Sequence, residues 1–335
     1  MDRKHKIALK IIAVAIIAGY AMAVIITMPP HLDKNKIVRI PENASATQIA
    51  ELLEERGVIK RSGWFLYWTD QYGVQENLQA GVYEFPSGRT PLKKVIDKVM
   101  RGEVATVRVS IPEGYTNAEI ADLLDRQGLA DREEFLQYAG DEELEGFLFP
   151  DTYIFPYNVS VEAIVNSMTR RFRNVFSQLC GEDVTEENFD RVKEITTLAS
   201  ILEKEAIFLD EKRIIADILY RRMEKNMLLQ SCATVIYALG TPKPRLSLQD
   251  LRIDSPYNTY INRGLPPAPI CNPGRESLEA AINPTKNEYL FFLARGNGRN
   301  HFSRTYSEHN QAKDIFLNNR AGTDKEEEPV FIPDI

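Results

Sequence analysis

The segment Leu198-Ala199-Ser200-Ile201-Leu202-Glu203-Lys204-Glu205 sets a carboxylate beside an apolar stripe, which suits general acid/base chemistry. At a helical spacing of about 100° per residue, Ile195, Leu198, Ala199, Leu202 and Ala206 share one face. Glu203 and Glu205 then fall on opposite shoulders of that face, and Lys204 points away. Partial desolvation favours the protonated form of a carboxyl, which lets a glutamate carry a proton near neutral pH and donate it. Glu203 is therefore the candidate catalyst. Glu205 is its rival, but residues two apart on a helix do not face one point. The competing reading of Glu-Lys-Glu is a solvated helix edge.

Other chemistries find little support. The four histidines, His5, His31, His301 and His309, form no helical pair and no Cys/His cluster with ligand spacing. There is no Gly-rich phosphate loop, so neither a metal nor a cofactor is expected. A net charge of −7 without a basic, aromatic-studded stripe argues against a nucleic-acid partner. The three cysteines, Cys180, Cys232 and Cys271, are too few and too scattered for a disulfide framework.

With 335 residues, 44% hydrophobic and 27% charged, the chain has globular composition and room for two folded units. Ile11 to Met28 carry no charge and follow Arg3, Lys4, Lys6 and Lys10. At about 1.5 Å per residue this run just spans a bilayer core, with the N-terminus on the cytoplasmic side. Ala21-Met22-Ala23 resembles a signal-peptide cleavage site, but the apolar run continues past it, which favours an uncleaved anchor.

Beyond Pro29-Pro30, a pattern occurs twice, 71 positions apart (Ile40 to Ile111). Ile40-Pro41-Glu42, Ser45 with Gln48, and Gly57 return as Ile111-Pro112-Glu113, Thr116 with Glu119, and Gly128. Each copy reads as strand, turn, helix with a capping box, and glycine stop. The aromatic that follows is Trp64 in one copy and Phe135 in the other. The resulting plan is residues 1–10 cytoplasmic, 11–28 transmembrane, 29–36 linker, 37–104 a small module with a hairpin near Gly81–Phe85, 105–317 the main domain, and 318–335 a mobile tail. The fold class is α+β.

Four motifs follow in order: Leu144-Glu145-Gly146-Phe147-Leu148-Phe149-Pro150-Asp151-Thr152-Tyr153; the Glu203 helix; Leu229-Gln230-Ser231 through Thr234 to Gly240; and Ser255-Pro256-Tyr257-Asn258-Thr259-Tyr260 through Gly264 and Ile270 to Asn272-Pro273-Gly274 and Ser277-Leu278. In this order, behind an N-terminal anchor, they resemble the endolytic murein transglycosylase family, also called YceG-like or MltG-like. The resemblance implies a membrane-anchored lytic enzyme that cuts peptidoglycan glycan strands and leaves a 1,6-anhydro-N-acetylmuramoyl end. It also implies a LysM-like module before the catalytic domain, extracytoplasmic location at the bacterial inner membrane, and contact with cell-wall synthases. The family's essential glutamate falls on Glu203.

Against that background, Tyr257, Asn258 and Tyr260 offer aromatic faces and an amide for a sugar ring, or else pack their own loop. Gln230 and Thr234 are expected to line the cleft. Glu145 is the more functional of the carboxylates flanking the aromatic run, and Asp151 reads as structural. A non-catalytic glycan-binding scaffold and a hydrolytic muramidase stand as alternatives, the latter needing a second carboxylate near Glu203, with Glu145 the first to check. Many relatives carry Asp-Pro where this chain has Cys232-Ala233, and glycine at Ala268. A Cys232–Cys271 disulfide is a further expectation.

Overall fold

The alternation in Lys36-Ile37-Val38-Arg39-Ile40 buries Val38 and Ile40 on one side of a strand, and this face founds the first of two compact units. The computed structural model describes residues 29–241, 243, 246–295 and 297–316. The expected anchor at 11–28 and the tail from 318 lie outside them. Among the described residues no helix is long and apolar enough to cross a membrane. They form eleven α-helices and four two-stranded sheets, an α+β architecture.

The first unit runs up to Val107 and takes in Pro156–Asn158. Its elements are β1 (His31–Leu32), β2 (Lys36–Ile40), α1 (Ala46–Glu55), α2 (Ser62–Gln71), β3 (Gly81–Phe85), β4 (Gly88–Arg89) and α3 (Leu92–Met100). Strand β2 pairs antiparallel with β3, Val38 opposite Tyr83, and β1 pairs with β4. Val38, Ile40, Ile49, Leu53, Phe65, Tyr83, Phe85 and Ile96 fill the core. Each large apolar side chain so buried contributes about 1.5–3 kcal/mol before entropy is counted.

The second unit comprises Arg108–Phe155 and the chain from Val159. It is reached through β5 (Thr106–Ser110) and contains α4 (Asn117–Arg126), α5 (Arg132–Asp141), β6 (Thr152–Pro156), α6 (Val161–Cys180), α7 (Phe189–Glu205), α8 (Leu209–Glu224), α9 (Cys232–Leu239), α10 (Arg275–Ile282), β7 (Phe291–Ala294), β8 (Asn300–Ser303) and α11 (Tyr306–Phe316). Ser160 caps α6, and Gly181, with φ +76°, ends it in the left-handed conformation. Val161, Ile164, Val165, Met168, Phe172, Val175 and Phe176 form its buried face. Helix α7 lies at the centre, packed by α10 and α8. From Thr196 to Leu202 it is buried all round, rather than on the single stripe expected from spacing.

The repeat holds down to its hydrogen bonds. Ser45 and Gln48 exchange bonds around the N-cap of α1, as do Thr116 and Glu119 at α4. At the other end the N–H groups of Gly57 and Val58 bond to the carbonyls of Glu54 and Leu53, and those of Gly128 and Leu129 to Asp125 and Leu124. Each copy is a βααβ unit, since β5 pairs with β6 as β2 does with β3. The aromatic pairing, however, shifts by one position. The second copy has one residue fewer between the glycine stop and the next helix, so Phe135 corresponds to buried Phe65, and Trp64 is exposed.

Candidate active site

Glu203 stands at the C-terminal end of α7, where the buried helix emerges. Its side chain is 10% exposed and meets the Lys212 Nζ at 3.4 Å from both carboxylate oxygens; the lysine side chain is 3% exposed. The Ser277 hydroxyl donates to Oε2 at 2.5 Å, and the Gly274 N–H donates to the same oxygen at 3.0 Å. Gly274 is the N-cap of α10, so the partial positive charge of that helix end faces the carboxylate. Three donors from two helices thus fix the side chain's orientation.

A second carboxyl lies beside it. A Cβ on Gly274 would come within 2.0 Å of the Glu113 Oε1, so Glu113 occupies the space that the missing side chain leaves. Burial, followed by the charge of Glu203, pushes the Glu113 carboxyl above the usual range, while Lys212 draws it back. Gly114, at φ +78°, brings the turn onto Glu203, and a Cβ there would lie 3.4 Å from the Glu203 Cγ and 3.5 Å from the Lys204 Nζ. Lys204 is exposed, as expected from its place off the buried face, and its ammonium lies alongside this turn. Sequence reasoning missed Glu113 and Lys212. The one signal in the sequence was the contrast between copies, since Glu42-Asn43 is replaced by Glu113-Gly114, and of these four residues only Gly114 is buried.

Glu145 is the third carboxyl. It accepts the Asn117 N–H at 3.1 Å and the Tyr237 hydroxyl at 3.4 Å. Burial lifts its pKa to about 7, against the pull of those bonds and of Lys204. Tyr237 packs on Tyr257 with ring centroids 4.9 Å apart, so the expected aromatic Tyr257 belongs to the surroundings of Glu145. The carboxyl on which the Glu203 charge acts is Glu113.

One buried asparagine joins these segments. Asn272 receives the Leu148 N–H on Oδ1 at 2.8 Å and donates through Nδ2 to the Tyr115 carbonyl and the Asn117 Oδ1. Its own N–H reaches Tyr115 and its carbonyl receives Gly114. Ser200 on α7 accepts the Ile270 N–H at 3.0 Å, pinning the proline-rich loop to the catalytic helix. Gly146, at φ +90°, allows Pro269 to approach so closely that a Cβ would lie 2.4 Å from it.

Several expected cleft residues have bonding partners within the fold. Thr234 is fully buried, its hydroxyl bonded to the Ser231 carbonyl and to Thr259. Asn258, also fully buried, donates to the Leu251 and Ile253 carbonyls and accepts from the Tyr260 N–H. Tyr260 packs with Val235, Leu246 and Leu251, its hydroxyl 3.1 Å from the Cys232 sulfur. Gln230 holds φ +52° and bonds through its backbone to Thr259. Asp151 pairs with Arg171 at 2.7 Å, a structural role. Glu205 is buried against Ser231, whose hydroxyl donates to it at 2.5 Å; burial raises its pKa against that bond and the Arg222 charge. It thus faces a different set of partners from Glu203. The expected disulfide is absent: all three cysteines are free, and the Cys271 thiol donates to the Ser200 carbonyl.

The fold and site define a two-unit α+β protein with a largely buried, hydrogen-bonded glutamate at the end of a central helix. The family model described as YceG-like matches residues 38–315, and the chain belongs to that family. It is 33% identical to the endolytic murein transglycosylase of Bacillus subtilis over 84% of this chain and 85% of that protein. It is 27% identical to the Streptococcus pneumoniae strain D39 protein of the same name over 82% of this chain, but that match spans only 57% of the relative. A 2.6 Å crystal structure of a YceG-like protein from Listeria monocytogenes superposes with a TM-score of 0.56 at 34% identity, covering 83% of this chain and 98% of that one.

Proposed function

We propose that this protein is an endolytic peptidoglycan lytic transglycosylase that cleaves the MurNAc–GlcNAc bond of nascent glycan strands. The observation that carries the reading is the buried Glu203 carboxyl, oriented by Ser277, Gly274 and Lys212. In the reaction, protonated Glu203 gives its proton to the leaving glycosidic oxygen. The carboxylate then takes the proton of the muramoyl C6 hydroxyl as that oxygen closes on C1 to form the 1,6-anhydro ring. No water is consumed, and one group serves as acid and then base. Glu113, by its placement against Gly274, is a positioning residue that shapes the field around Glu203.

The apolar run 11–28 supports a single-pass anchor in the bacterial inner membrane with the catalytic unit outside. The first unit, with its own core, supports the reading of a LysM-like module. Peptidoglycan strands are the substrate, and cell-wall synthases are the partners that this reading implies.

Mass spectrometry of the products from uncrosslinked glycan strands, with Glu203→Gln in parallel, tests it. Anhydro-muramoyl ends that disappear in the variant are expected. The closeness of Glu113 to Glu203 favours one second reading, a muramidase with two carboxyls, whose mark is new reducing ends. Intact strands from a folded wild-type protein would leave a scaffold.

A further inference from the structure

The second helix of the first unit carries an aromatic stripe that its fold does not require. On α2, Phe65 and Thr69 face the core, while Trp64, Tyr67, Trp68 and Tyr72 stand between 37% and 50% exposed. Their rings touch in series: Trp64 on Tyr67 at 6.0 Å, Tyr67 on Trp68 at 5.3 Å and Trp68 on Tyr72 at 5.5 Å. The repeat supplies an internal control. Helix α5 of the second copy buries Phe135 and Ala139 at the equivalent positions, but carries Glu134, Gln137, Tyr138 and Glu142 where α2 has the four aromatics. The same βααβ unit therefore forms with a largely polar outer face.

The stripe adjoins the point where the apolar N-terminal run ends. Pro29 and Pro30 line a cavity of about 190 Å³ together with Lys60, Arg61, Trp64 and Trp68. Tryptophan and tyrosine, apolar in body and polar at the tip, concentrate at the headgroup level of membranes, and lysine and arginine attract anionic lipid. We infer that α2 lays Trp64, Tyr67, Trp68 and Tyr72 into the headgroup layer of the membrane beside the anchor, making the first unit a membrane-seated element. This rests on the anchored reading of residues 11–28.

The chain has only two tryptophans, and both lie in the stripe, so fluorescence excited selectively at tryptophan reports this surface alone. The full-length protein is reconstituted into phosphatidylethanolamine–phosphatidylglycerol vesicles containing lipids brominated either near the headgroup or near the end of the acyl chain. Stronger quenching by the shallow label is expected. It should be largely lost in a Trp64→Glu, Tyr67→Gln variant, which takes the polar residues of the second copy and should keep its far-UV dichroism and its activity on soluble strands. Absence of quenching in vesicle-retained protein, quenching by the deep label alone, or unchanged quenching in the variant would overturn the inference. An emission change with soluble glycan strands but not with lipid would assign the stripe to glycan and also overturn it. Flotation in alkaline carbonate reads the anchor separately: lost retention with kept quenching rejects the anchor alone, and loss of both rejects both.

Discussion

Glu113 and Glu203 meet at a single glycine: Gly274 donates its N–H to Glu203 at 3.0 Å, and Glu113 fills the place where its side chain would be. Two carboxyls are held together because the residue between them has no Cβ. Burial, and then the charge of the neighbouring Glu203, raises the Glu113 pKa.

Gly274→Ala should therefore act through Glu113. The added methyl displaces that carboxyl and disturbs the N–H aimed at Glu203, and turnover should fall by about 10²-fold, the scale set by misplaced catalytic groups. Shortening Glu113 to Asp in the Gly274→Ala background should restore part of the loss. A double-mutant cycle on kcat checks this, and simple additivity would refute the steric link.

Lys212→Met should destabilise the fold by about 3–5 kcal/mol, the cost of leaving one member of a buried ion pair without its partner. Both side chains are largely excluded from water. Urea unfolding of wild type and variant measures it, and a loss below about 1 kcal/mol, as for exposed pairs, would contradict the burial.

Glu145 makes a pH-dependent contribution of definite sign. Its folded pKa of about 7 exceeds the unfolded value of 4.5, so between these pH values the folded protein holds the extra proton. Stability is then lost as pH rises through that window, by about 3 kcal/mol for this group. Glu145→Gln should gain stability relative to wild type on going from pH 4.5 to above 7. Parallel denaturation curves at both ends test it, and an unchanged difference would reject the raised pKa.

Asn258→Ala should cost about 2–4 kcal/mol, because two buried carbonyls lose their donor. The Michaelis constant of the protein that remains folded should stay close to wild type. A selective rise in that constant would return Asn258 to the sugar-binding role expected from its neighbours in sequence.

That last contrast shows where the sequence was legible. Local rules located the capping boxes at Ser45 and Thr116 and the glycine stops at Gly57 and Gly128, since each depends on residues three or four apart. The partners of Glu203 are not local. Lys212 belongs to α8, which buries Glu211, Lys212, Asp217 and Arg222, residue types that are mostly exposed, and Ser277 and Glu113 reach Glu203 from distant parts of the chain. Thr234, Asn258 and Tyr260 have the chemistry of a binding surface, but Thr234 on α9 bonds to Ser231 and Thr259, Asn258 to Leu251 and Ile253, and Tyr260 to Cys232, which only the packing reveals. The one-residue shift between Trp64 and Phe65 lay in a loop length that helical periodicity does not register.

The duplicated βααβ unit has parted into two occupations. In the first copy the turn after the strand, Glu42-Asn43, lies exposed. In the second copy the same turn packs against the end of α7 at Glu203 and is tied to Asn272, so its residues are held by contacts that the first copy lacks. What reads as a detachable module in the second position is built into the surroundings of Glu203. A graft that exchanged the two copies would preserve every cap and strand and still dismantle the enzyme.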